Sequence, residues 1–162
     1  MTMGRSLKIA ALLATCAVAI GCRPFNVDTP AAFIELEDQR DHDYDFRATT
    51  ADGVVVAVQG LPNKQRGTLP FWSEAVRNKL RDARGYALLE ETDVRARGGM
   101  PGKQMRFGRD EAGHTFRYWV TIFVRHEGRS PRVWVIEAGG EQEVFEGRRE
   151  EIEELIASFE PR

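Results

Sequence analysis

Apolar and polar residues alternate along much of the chain. Alternation rich in β-branched and aromatic residues marks strands, and it predicts them at 33–37, 44–49, 53–59, 86–95, 103–108, 115–125 and 132–138. Ala51-Asp52-Gly53 separates the second strand from the third, and Asp-Gly is a strong hairpin signal. Two stretches keep a helical period instead. Over 70–84, Trp72, Ala75, Val76, Leu80 and Ala83 form one stripe, with Pro70 near the start and Gly85 at the exit. Over 148–159, Ile152, Leu155, Ile156 and Phe159 form the stripe, and Glu150, Glu151, Glu153 and Glu154 cover the wet side.

The predicted order is β-β-β-α-β-β-β-β-α. In the strand at 115–125, Phe116, Tyr118, Val120, Ile122 and Val124 share one face, while Trp119, Thr121 and Phe123 make the middle of the other apolar too. The strand at 53–59 is likewise apolar on both faces. Strands covered on both sides call for helices on both faces of one sheet, and the short connections make that sheet mostly antiparallel. The fold class is therefore α+β. This order, with Val135-Ile136-Glu137-Ala138-Gly139-Gly140 ahead of a C-terminal helix, resembles the PsbP/Mog-type fold over about 31–160. The resemblance implies an antiparallel sheet sandwiched between helices. That fold occurs in a photosystem extrinsic subunit, a nuclear-transport factor and small bacterial lipoproteins, and its members share no single activity, so it implies no function.

The N-terminus has a different character. Arg5 and Lys8 precede a run from Ile9 to Ile20 that is apolar except for Thr15. As a helix the run would span about 18 Å, short of the ~30 Å hydrocarbon core, and it suits a signal-peptide core better than a membrane span. Ala19-Ile20-Gly21-Cys22 follows and resembles a bacterial lipobox, in which small residues expose the bond before a nucleophilic cysteine. The resemblance implies a signal peptide at 1–21, cleavage before Cys22 and a lipid on its sulfur. Arg23 stands where an Asp would resemble an inner-membrane retention signal, which favours the outer membrane, facing the periplasm. Residues 22–30 then read as the lipidated cysteine and a tether, and 31–162 as one domain that holds every core stripe.

Composition narrows the function classes. The chain has 162 residues, 42% of them hydrophobic and 30% charged, which is the balance of a folded domain. Its formal charge is −2, and loss of 1–21 removes Arg5 and Lys8 but no acid, giving −4. Neither value suits a nucleic-acid binder. Cys16 and Cys22 both lie at the N-terminus, so the domain has no disulfide framework.

Catalytic signatures such as G-x-S-x-G, G-x-x-x-x-G-K-[ST], H-E-x-x-H and C-x-x-C are absent from the sequence. His42, His114 and His126 are scattered, the last two at opposite ends of one predicted strand. Asp38, Asp41, His42, Asp43 and Asp45 cluster between the first two strands, as a solvated turn or a weak cation site. Gly98-Gly99-Met100-Pro101-Gly102 reads as a wide hairpin connection or a mobile loop beside a cleft. Glu137 is the notable single residue: it ends an apolar strand on the face of Val133 and Val135, at the rim of the covered zone. It is a candidate cleft carboxylate or a structural one, bonded to N–H groups of a turn at Gly139-Gly140 or to an arginine on an adjacent strand. No cofactor and no metal is expected. The chain reads as a non-catalytic, lipid-anchored envelope protein whose domain binds a protein or another envelope component. The alternatives are a small-molecule or lipid carrier, with a dry pocket beside Trp119 and Phe123, and an enzyme using Glu137.

Overall fold

The computed structural model describes residues 23–37 and 44–162. Cys22 and the acidic segment 38–43, with His42, lie outside them.

Seven strands form one antiparallel sheet: β2 (Phe33–Glu35), β3 (Phe46–Thr50), β4 (Val55–Pro62), β5 (Ala87–Arg95), β6 (Pro101–Glu111), β7 (His114–Arg125) and β8 (Arg132–Glu141). Their spatial order is β2-β3-β4-β8-β7-β6-β5, with every neighbouring pair antiparallel. The hairpin between β3 and β4 closes at Asp52-Gly53, where Thr50 N–H bonds to Val54 and Gly53 takes φ 99°. Gly98 and Gly99 also take positive φ, in a tight hairpin between β5 and β6. Pro101 and Gly102 already belong to β6, so this segment is a hairpin turn.

Helices cover both faces of the sheet. α1 (Leu69–Asn78) starts on Thr68, whose side chain accepts from Phe71 N–H, and continues as a π-helical turn over Lys79–Ala83. It packs against β6 and β7, where Leu80, Met105, Phe107, Val120, Ile122, Val124 and Val133 form a cluster. On the opposite face lie α2 (Gln142–Gly147) and α3 (Arg149–Ser158). α2 is an element that the periodicity does not reveal. Its Phe145 is fully buried, edge-on to Trp119 at 5.1 Å between ring centroids.

Two departures from the sequence reading concern chain direction. Gly139 and Gly140 continue β8 and make no turn. Their value is close approach: a Cβ on Gly139 would stand 3.1 Å from the Tyr118 ring, and one on Gly140 would stand 3.2 Å from Val54. The second departure is the segment read as a tether. β1 (Phe25–Asn26) pairs with β9 (Glu160–Pro161), and Phe25 is 2% exposed. Its ring sits 5.4 Å from that of Phe159, which stacks on Phe123 at 5.1 Å. Arg23 pairs with Glu35 at 2.7 Å, so the residue next to Cys22 is already part of the fold.

Removing a fully buried aromatic costs about 3–5 kcal/mol. Phe25→Ala is therefore expected to lower unfolding stability by that amount, and a chain shortened to begin at Asp28 should lose at least as much. Urea denaturation of both against the chain beginning at Arg23 checks this.

Candidate functional site

α1 covers only part of its face. Between the helix and the outer half of the sheet runs a groove of about 420 Å³. Its floor comes from β4, β8 and β7 through Leu61, Val133, Val135 and Ile122, and its wall from Trp72, Ala75, Val76 and Leu80. Polar groups stand only at its margins: Gln59 and Glu137 on the sheet, Lys79 and Arg84 on the helix. Such an apolar trough with a few convergent polar groups is the usual form of a ligand site.

The loop before α1 holds the wall in place. Asn63 is fully buried; its Oδ1 accepts from Gly67 N–H at 2.9 Å and from Trp72 Nε1 at 3.2 Å, and its Nδ2 donates to the Gly67 carbonyl at 2.9 Å. A Cβ on Gly67 would lie 2.6 Å from Trp72 Nε1, so only glycine lets the indole reach Asn63.

Glu137 stands where the groove passes into a shallower trough of about 310 Å³, lined by Tyr44, Arg47, Val55, Ala57, Tyr118 and Gly139. Tyr44 donates its hydroxyl to Glu137 Oε2 at 2.9 Å, and the Tyr118 hydroxyl in the same trough also interacts with the Glu137 carboxylate. The partners expected from sequence, a glycine turn or an arginine, are replaced by two tyrosine hydroxyls. Burial and then the adjacent Glu137 charge push the Tyr118 hydroxyl well above the usual tyrosine range, so it stays a protonated donor. Gly139, directly across from Tyr118, leaves room for the ring to lie over β8. Tyr86 packs on that ring at 5.2 Å. Such an arrangement fixes the carboxylate.

The structure keeps the other sequence-named residues apart. His114 bonds Glu141 at 2.9 Å at one end of β7, and His126 lies exposed beyond the other. Asp45 accepts from Gly60 N–H at 2.7 Å and so serves the β3–β4 pairing. Among the described residues no group of His, Cys, Asp and Glu could hold a metal ion. The space beside Trp119 and Phe123, expected as a dry pocket, is filled by Phe145 and Phe159; the groove lies on the opposite face. Ala75, Leu61, Lys79 and Arg84 were not legible as site residues, because their role depends on which half of the sheet the helix leaves bare.

The architecture is PsbP/Mog-like, a mostly antiparallel sheet between helices. Among solved structures the chain is similar to LpqN of Mycobacterium tuberculosis, a protein involved in cell envelope biogenesis, with TM-score 0.67 and 11% identity over 85% of this chain and 83% of that one. It is also similar to the Ran-binding protein Mog1p of Saccharomyces cerevisiae, with TM-score 0.56 and 12% identity over 85% of this chain and 90% of that one. At these identities what is shared is the fold. No sequence-family profile and no curated protein sequence matches the chain.

Glu137→Gln keeps one acceptor oxygen but removes the charge and adds an amide donor between two hydroxyls. It should cost about 1–3 kcal/mol, read as a lower melting temperature, with cellular location unchanged. An unchanged melting temperature with lost complementation would show a functional carboxylate. Asn63→Ala leaves Gly67 N–H and Trp72 Nε1 without their acceptor. It should destabilise by a similar amount and raise the solvent accessibility of Trp72, measured by fluorescence quenching.

Proposed function

We propose that this chain is a lipid-anchored protein of the bacterial cell envelope that binds an envelope component in the α1 groove and does no chemistry on it. The observation that carries the reading is the groove itself: an apolar trough whose few polar groups stand at its margins, with Glu137 among them held by Tyr44. The lipobox-like Ala19-Ile20-Gly21-Cys22 supports the anchor. Among the described residues no helix is long and apolar enough to cross a membrane. Two or more acyl chains hold stably, whereas one does so only marginally. The involvement of LpqN in cell envelope biogenesis and the Ran binding of Mog1p agree with a binding role for the same fold.

The size of the groove favours a particular kind of component. About 420 Å³ falls in the range of small-ligand sites, roughly 300–1,000 Å³, and this supports the carrier reading over a protein partner. The arginine after Cys22 supports the outer membrane, with the domain in the periplasm. Because Arg23 is already bonded within the fold, the domain would sit against the headgroups without a spacer.

Metabolic labelling with an alkyne fatty acid tests the anchor. Label is expected on the wild-type protein and none on Cys22→Ala, which should also stop partitioning into detergent; label that persists in the variant, or fails in the wild type, overturns it. Ala75→Trp tests the groove, because Ala75 is exposed on its wall and the larger side chain fills the space. Complementation should fall while the melting temperature holds. Full complementation by a stably folded Ala75→Trp protein would remove the groove from the function.

A further inference from the structure

The helix that walls the groove changes pitch where the groove needs charge. In an α-helix, residues five apart point about 140° away from each other. The i→i+5 bonding of a π turn returns residues five apart to the same side, and such turns recur at functional sites. The π turn covers Lys79–Ala83, and Lys79 and Arg84, five apart, both line the groove. Leu80 beside them is 6% exposed and holds the turn against the sheet. Among the described residues neither Lys79 nor Arg84 forms an ion pair, while Arg77, two residues before Lys79, pairs with Glu91 at 3.5 Å. Two uncommitted cations therefore stand together on the rim of an apolar trough. The carboxylate of the groove, Glu137, is on the sheet side and is engaged by Tyr44 and Tyr118.

From this juxtaposition we infer that the groove takes a single-chain amphiphile with an anionic head, a carboxylate or a phosphate on one apolar chain. The chain lies along Trp72, Val76, Ile122, Val133 and Val135, and Lys79 and Arg84 hold the head. Charge sets the orientation. An anionic head is drawn to the helix rim and repelled from Glu137, whereas a cationic head would go to Glu137. Guanidinium and ammonium together suit either anion, since arginine offers a fork of donors and lysine a point charge. The inference rests on the groove being a binding seat and adds the chemistry of what occupies it.

Photo-crosslinking of the full-length protein with twelve-carbon diazirine probes tests it. The probes carry a carboxylate, a phosphate, a trimethylammonium or a maltoside head and are used below their micelle thresholds, with the labelled peptides mapped by mass spectrometry. The carboxylate and phosphate probes should label α1 and β8 at least about tenfold more than the trimethylammonium probe, the ratio expected from one charge-assisted contact. Stronger labelling by the carboxylate points to a fatty-acid source, and by the phosphate to a phospholipid-type source. Lys79→Glu with Arg84→Glu should reverse the preference toward trimethylammonium and leave maltoside labelling and the melting temperature unchanged, since both side chains are exposed. Equal labelling by all heads, or anionic labelling that survives the double reversal, overturns the anionic head while leaving the groove as a seat. No labelling of α1 or β8 by any probe overturns both.

Discussion

A helix with its side chains is about 10 Å wide, and seven strands spaced about 4.8 Å apart make a sheet about 29 Å across. One helix cannot cover such a face. On the α1 side the helix with its π turn packs over β6 and β7, and among the described residues no helix lies on the face over β4, β3 and β2. Near the helix the uncovered residues are apolar, at Val133 and Val135 of β8, and farther out the polar Gln59, Arg47 and Thr49 stand among apolar Val55 and Ala57. The groove lies at the edge of the helix-covered region. It follows from the ratio of helix to sheet width, and side chains only decide its lining.

The opposite face solves the same shortage differently. There α2, α3 and the β1–β9 ribbon close the layer, and Phe159 is the hub: its ring meets Phe25, Phe123 and Trp134 at 5.4, 5.1 and 6.3 Å. Arg106 finishes the outer margin, lying 4.0 Å over the Trp119 ring while bonding Glu153 of α3 and Glu90 of β5. Beneath it Gln104 and Thr121, both buried, bond to each other at 3.1 Å, while the buried Trp134 Nε1 has no hydrogen-bond partner among the described residues. A dry, interlocked back layer fixes strand twist and register, and with them the spacing of floor residues in the groove. The two faces thus divide the work, stability on one and an accessible apolar surface on the other.

What the sequence made legible follows from the range of the interactions. The two-faced pattern of β7 announced helices on both sides of the sheet, because alternation is local and each residue reports its own face. The β1–β9 ribbon escaped notice because two-residue strands have no period; Phe25 looked like part of a tether, and its partners lie at the far end of the chain. α2 escaped because six residues with Val144 and Phe145 barely complete a stripe. Gly139 and Gly140 were open to two readings, since a missing Cβ serves a turn and a close approach equally well. Glu137 could be located on its strand and face, but not its bond to Tyr44, 93 residues away. The groove had no signature at all, because an uncovered surface is defined by what fails to pack there.

The π turn links the packing of α1 to the charge on the groove's rim. Trp72, Val76 and Leu80 follow one another at intervals of four, and in an α-helix each such step rotates the stripe by about 40°. By Leu80 the stripe has drifted about 80° from Trp72, and continuing the α-helix would carry the next residues farther from the sheet. Widening the turn at Lys79–Ala83 slows that drift and keeps Leu80 buried, and the chain then leaves through Gly85 at φ 67° into β5. The same widening sets Lys79 and Arg84 on one rim. A local adjustment that the packing of Leu80 demands is therefore also what gives the groove its charged edge. The two effects separate experimentally, because Leu80 is buried and carries the packing, while Lys79 and Arg84 are exposed and carry only the charge.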